Sequence, residues 1–154
     1  DDRTAERINR CCSMKDYEDC TGRLNHLEIR YVTHLMFGLP GETPEMMLRS
    51  VSEVCRGKPF GIKFHMLNVL KHTPLEKMWE NGEVPLMTQD EYISLVCDAL
   101  ERIPREVTIH RLTGDAPLEL LCAPLWSQYK RDVLNSINRE MKKRGSVQGC
   151  CVTE

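Results

Sequence analysis

One stretch limits what this chain can fold into. Tyr31-Val32-Thr33-His34-Leu35-Met36-Phe37 is a strand-length, mainly apolar run, followed at once by Gly38-Leu39-Pro40-Gly41 and then Glu42-Thr43-Pro44-Glu45. Gly38 and Gly41 permit positive φ, or let a ligand approach the backbone where a Cβ would block it. Pro40 fixes its own φ and biases Leu39 towards an extended shape. Thr43 has the chemistry of a helix cap, with Pro44 at the first helical position, where a missing N–H costs nothing. The stretch therefore reads as a rigid strand–loop–helix corner with backbone donors at the carboxyl end of a strand. Ligands bind at that end in α/β folds, although an ordinary βα turn has the same local chemistry.

Around this corner the chain alternates. Asp1 to Arg10 is short, polar and helical. Ser13 and Asp16 make a capping-box pattern before a stripe of Met14, Tyr17, Cys20, Leu24 and Leu27. Ile29–Phe37 is the first strand, partly continuous in its apolar residues, as expected where both faces are covered. Met47, Leu48, Val51, Val54 and Cys55 form the next helical stripe, ended by Gly57 and Pro59. Phe60–Val69 is the second strand. A short amphipathic piece around Leu75, Met78 and Trp79 follows, then a helix opened by Thr88 and Glu91. Val107–Leu112 is the third strand, and a long helix from about Trp126 to Lys143 is closed by Gly145. The fold class is α/β, with parallel strands joined by helical crossovers. Residues 1–145 form one unit and residues 146–154 a polar tail that should fray.

Three parallel strands are too few for a (β/α) barrel, which needs eight, and they leave two unpaired edges. That count, with the abrupt Asp1-Asp2-Arg3 start, points to the C-terminal portion of a larger enzyme. A compact three-stranded domain or a self-pairing oligomer remains the alternative. A formal net charge of -2 offers no global attraction to nucleic acid. No apolar run approaches the ~20 residues that span a bilayer, so no membrane is expected. The eight cysteines contain no C-x-x-C pair and no zinc spacing, and no metal site is expected from them. Cys55 and Cys97 read as small buried hydrophobes, and reduced thiols in the cytoplasm are the default. Cys151-Val152-Thr153-Glu154 has the outline of a prenylation box but poor residues for one.

The segment His34–Thr43 resembles the fifth-strand motif of radical S-adenosylmethionine (SAM) enzymes, in the subgroup of the oxygen-independent coproporphyrinogen oxidases and Elongator-type proteins. Thr4-Ala5-Glu6-Arg7-Ile8-Asn9-Arg10 is similar to the helix after the fourth barrel strand, and Gly61–His65 through Val69-Leu70-Lys71 and Thr73-Pro74-Leu75 to the sixth strand and its loop. Ile109–Pro117, Ala123-Pro124-Leu125-Trp126 and Gln148-Gly149 resemble the YhcC-like proteins. The resemblance runs from Arg3 to Gly149 without large gaps. It departs at Cys11-Cys12, where the family has Gly-His, and at His72, where it commonly has Gly.

The resemblance implies the C-terminal half of a partial or full TIM barrel holding S-adenosylmethionine and a [4Fe–4S] cluster. The reduced cluster would cleave S-adenosylmethionine to a 5′-deoxyadenosyl radical that abstracts a substrate hydrogen. The family's C-x-x-x-C-x-x-C cluster motif is absent here, so this chain alone should lack the cluster and be inactive. Arg10 would reach the methionine carboxylate, unless it is a solvated helix-end arginine. His34 would lie near the ribose or be a satisfied strand histidine. Gly38, Leu39, Pro40, Gly41 and Glu42 would support adenine and ribose. His65 and Asn68 would stand at the carboxyl end of the second strand, Asn68 on an adenine edge or in a turn. His110, Arg111 and Asp115 would meet the substrate, or Arg111 and Asp115 would simply pair with each other. The expected partners are the missing N-terminal half-barrel or a second copy at the open strand edge, and RNA, because Elongator-type relatives act on transfer RNA. The rival class is a non-catalytic binding or assembly module.

Overall fold

The computed structural model describes residues 1–152. Thr153 and Glu154, the second half of the prenylation-like ending, lie outside the described residues. Six α-helices and five strands follow in the order α1 (Asp2–Arg7), α2 (Met14–His26), β1 (Val32–Phe37), α3 (Pro44–Arg56), β2 (Gly61–Met66), β3 (Val69–Leu70), α4 (Pro74–Glu80), α5 (Gln89–Glu101), β4 (Thr108–Arg111), β5 (Leu121–Ala123) and α6 (Lys130–Arg144). A 3₁₀ turn, Leu125–Gln128, precedes α6.

Local chemistry sets most boundaries. Ser13 and Asp16 cap α2 reciprocally, and Thr88 and Glu91 do the same for α5. Thr43 and Thr73 cap α3 and α4, each followed by Pro at the first helical position. Gly145 ends α6 in the left-handed conformation.

β1, β2 and β4 form one parallel sheet in that order, with β1 at an edge. Val32 to Phe37 run in register with Gly61 to Met66, and β4 joins β2 through a bulge that places Ile109 opposite Ile62 and Arg111 opposite Lys63. One sheet face is apolar. Phe37, Ile62, Phe64 and Met66 pack with Met47, Val51 and Val54 of α3, with the wholly apolar side of α5, and with Val133 and Ile137 of α6. Phe37 stacks on Phe64 at 5.0 Å, and Tyr92 stands edge-on to Phe37 and beside Trp126. The Tyr92 hydroxyl, deep in this core, donates to the Leu112 carbonyl at 2.8 Å.

Four expectations are corrected. The first strand is covered on one face only: His34 and Met36 are exposed, while Phe37 is fully buried and Tyr31 is half-buried with its hydroxyl donating to the Gly57 carbonyl. The second strand stops at Met66, and β3 turns away to pair antiparallel with β5, which was not foreseen. The last helix begins at Lys130, because Trp126 is anchored earlier by its ring on Tyr92 and its N–H on the Met87 carbonyl.

The tail is the fourth. Gly149 and Cys151 donate backbone N–H groups to the Leu100 and Glu101 carbonyls, and the Gln148 side chain donates to those of Pro104 and Val107. It thereby satisfies the carboxyl end of α5, whose last carbonyls have no helical partner. Arg144, in the basic run Lys142-Lys143-Arg144, is similarly committed, binding Asp98, Glu101, Glu140 and the Ser94 hydroxyl.

Removing one buried donor tests this core. Tyr92→Phe leaves the Leu112 carbonyl without its partner and should cost about 1–2 kcal/mol, seen as a lower urea midpoint at unchanged slope.

Candidate functional site

The corner between β1 and α3 forms as its sequence dictates. Gly38 and Gly41 both adopt φ 84, which L side chains avoid. The Gly38 N–H donates to the Met47 thioether at 3.1 Å, and Glu42 closes a turn onto the Leu39 carbonyl at 3.0 Å. A Cβ on Gly41 would lie 2.6 Å from Arg7 Nη1, so α1 is folded directly over the corner. Pro40 is buried beneath it.

Arg10, His34, Leu39 and Glu42 line one cleft of about 200 Å³ between α1, β1 and α3. Arg10 and His34 also line a groove of about 640 Å³ along the β1 edge, walled by α2 and α3. Burial raises the Glu42 carboxyl above its ordinary value of 4.5.

At the carboxyl end of β2, His65 and Asn68 form a second group. The His65 ring stacks on His34 at 5.2 Å. Among the described residues, His65 Nε2 and Asn68 Oδ1 are buried with no hydrogen-bond partner. Gly114 passes beside them, donating its N–H to the Met66 thioether at 3.1 Å, and a Cβ there would lie 3.6 Å from both His65 and Asn68. Burial, then the charges of His34, Arg111 and Lys63, lowers the His65 pKa.

The third group divides. Arg111 pairs with Asp115 at 3.0 Å, and Lys130 shares the same carboxylate. His110 turns towards the amino end of β2, edge-on to Phe60 and over Gly61, where a Cβ would stand 2.5 Å from its Nε2. Two contributors were missed from sequence: Arg7 over the corner, and Lys63 on the same sheet face as His65. The period-two spacing of Lys63 and His65 between Ile62, Phe64 and Met66 was the available signal for Lys63. The two departures from the family pattern, Cys11 (φ 55) and His72 (φ 64), both sit in left-handed backbone, where Gly would be unstrained.

All eight cysteines are free thiols. Burial pushes Cys55 and Cys97 each up to about 11, far from thiolate character at neutral pH. Among the described residues no three His, Cys, Asp or Glu side chains gather closely enough to hold a metal ion, and no helix is long and apolar enough to cross a membrane.

Residues 59–143 match the radical SAM C-terminal domain family. The uncharacterized protein YtqA of Bacillus subtilis is 43% identical over 148 residues, which cover 96% of this chain and 46% of YtqA. Protein YhcC of Escherichia coli is 30% identical, covering 96% of this chain and 48% of its own length. The chain thus spans about half the length of these curated relatives. In fold it is similar to Elp3 of Methanocaldococcus infernus, with a TM-score of 0.81 at 22% identity, over 95% of this chain and 34% of Elp3.

Glu42 gives a pH test of the corner. Because its folded pKa is raised, the folded state holds the proton more tightly than the unfolded chain. That contribution is present below 4.5 and is lost as pH rises through the raised value. Glu42→Gln should therefore flatten this part of the stability profile and gain on the natural chain towards neutral pH, read by denaturant unfolding across pH.

Proposed function

The chain belongs to the radical SAM C-terminal domain family, and from that premise we propose that it is the carboxyl-terminal wall of a radical SAM barrel that binds S-adenosylmethionine. The observation that carries the reading is the pair of orphaned atoms, His65 Nε2 and Asn68 Oδ1, at the strand end. Buried polar atoms without partners are costly, and a ligand with a purine edge and a ribose supplies partners for both. The donor set beside them suits the rest of the molecule. The Arg10 guanidinium would take the methionine carboxylate. His34 and Glu42 would flank the ribose, and the backbone of Gly38, Leu39, Pro40 and Gly41 would support the adenine.

S-adenosylmethionine, bound beside a reduced iron–sulfur cluster, supplies 5′-deoxyadenosyl radical chemistry. The residues described here do not fit that cluster, which needs several thiolates around one centre. This chain's own part is to bind, orient and exclude water, and by itself it is inactive. Eight free thiols suit a reducing, cytoplasmic setting. The substrate class suggested by the Elongator-type sequence resemblance is RNA.

Equilibrium dialysis with S-adenosylmethionine tests the binding. Arg10→Ala should weaken it about tenfold or more, the scale of a lost charge-assisted pair, while Arg56→Ala, remote on α3, leaves it unchanged. Equal binding by all three proteins would refute the assignment.

The open β1 edge, with its long groove, favours a second role alongside the first: docking of a further strand, from the rest of a barrel or from another copy. Sedimentation of the purified chain across a concentration series should show self-association. A monomer at every concentration would mean that the exposed edge is self-sufficient, and the non-catalytic assembly reading would fail with it.

A further inference from the structure

Three basic side chains stand in one row across the sheet. His34 on β1 is in register with Lys63 on β2, and Lys63 with Arg111 on β4. Neighbouring strands are about 4.8 Å apart, so the row spans roughly 10 Å. It lies on the face that the helices leave open. His65, two residues beyond Lys63 on that face, stacks against His34.

The row is poorly balanced. Among the described residues, the carboxylate that forms an ion pair with the row is Asp115, which Arg111 shares with Lys130. Among the described residues Lys63 has no ion-pair partner, although it is only half-exposed. Like charges directly opposite one another on adjacent strands destabilise a sheet, and nothing in the fold requires them, since any polar residue would satisfy the alternation. The same crowding is felt at His65, whose charged form is disfavoured by His34, Arg111 and Lys63 after burial itself. A multiply charged oxyanion would relieve the repulsion. It would also give Lys63 its missing partner. A carboxylate needs only one arginine fork; a row of three basic groups over this length suits a group with more charge and more oxygens.

We infer that the open face of the sheet holds a phosphate subsite, with Lys63 and Arg111 as its charged ligands and His34 and His65 flanking them. The inference rests on the reading of the chain as the wall of a radical SAM barrel, and deepens it by giving the substrate a phosphate group. That phosphate belongs either to a small ester or to a nucleic-acid backbone.

The full chain is titrated calorimetrically at low ionic strength with inorganic phosphate and, separately, with a single-stranded RNA oligonucleotide. Lys63→Gln, Arg111→Gln and Lys142→Gln are run in parallel, with S-adenosylmethionine binding measured on each. Arg111 and Lys142 are exposed, so neither of those substitutions endangers the fold. The expected result is saturable binding weakened at least tenfold by Lys63→Gln and by Arg111→Gln, unchanged by Lys142→Gln. S-adenosylmethionine should still bind all three variants.

Saturation by inorganic phosphate assigns the subsite to a small ester, and saturation by RNA alone, with the same sensitivity, assigns it to a polymer. No binding of either ligand overturns the inference, as does binding equally affected in all three variants or in none. Phosphate binding without S-adenosylmethionine binding upholds the subsite and overturns the cofactor reading alone.

Discussion

Parallel pairing is the constraint on which the rest of this structure depends. Two parallel strands cannot be joined by a tight turn, so each pairing commits the chain to a helical crossover on one side of the sheet. Here α3 links β1 to β2, and α4 with α5 links β2 to β4. The crossovers, together with α6, bury one face under Val51, Val96 and Val133, and leave the other to His34, Lys63, His65 and Arg111. The carboxyl ends of β1 and β2 then fall side by side. That is why the glycine corner and the orphaned His65 and Asn68 belong to one region although some thirty residues separate them.

The region is held by soft acceptors as much as by packing. The Gly38 and Gly114 amides, one on each loop framing the strand ends, donate to the Met47 and Met66 thioethers. Thioether sulfur is a weak acceptor on a flexible stem, so both loops are positioned without a rigid polar network. By contrast, the base of the molecule is tied by a dense set of charges. Arg144 joins α6 to α5 through Asp98 and Glu101, and residues 146–152 cap the end of α5. The fixed scaffold and the lightly held loops therefore lie at different parts of the fold.

Legibility from sequence followed the range of the interactions concerned. The family resemblance and the α/β class were readable because they rest on ordered local motifs. The residues expected to hold the cofactor fell into two neighbouring groups, Arg10, His34, Leu39 and Glu42 in one cleft and His65 with Asn68 beside it. The His110, Arg111 and Asp115 group was not a unit: a bulge in β4 sent His110 to Phe60 and left Arg111 to pair with Asp115. β5 was invisible because three residues without alternation carry no periodic signal. Lys63 was passed over because its meaning comes from its cross-strand neighbours.

By itself the sequence determined the caps, the turns and the faces: Ser13 with Asp16, Thr88 with Glu91, Thr43-Pro44, Gly145, and the Gly38–Gly41 corner. Each of these is settled within a few residues by backbone geometry and short-range hydrogen bonding. Only the tertiary structure decided which face of β1 stays open, that β3 would leave the sheet for β5, that the tail would dock on α5, and that His34, Lys63 and Arg111 would share a row. Those outcomes depend on register between segments 30 to 80 residues apart, and register is fixed by what two distant surfaces can bury together.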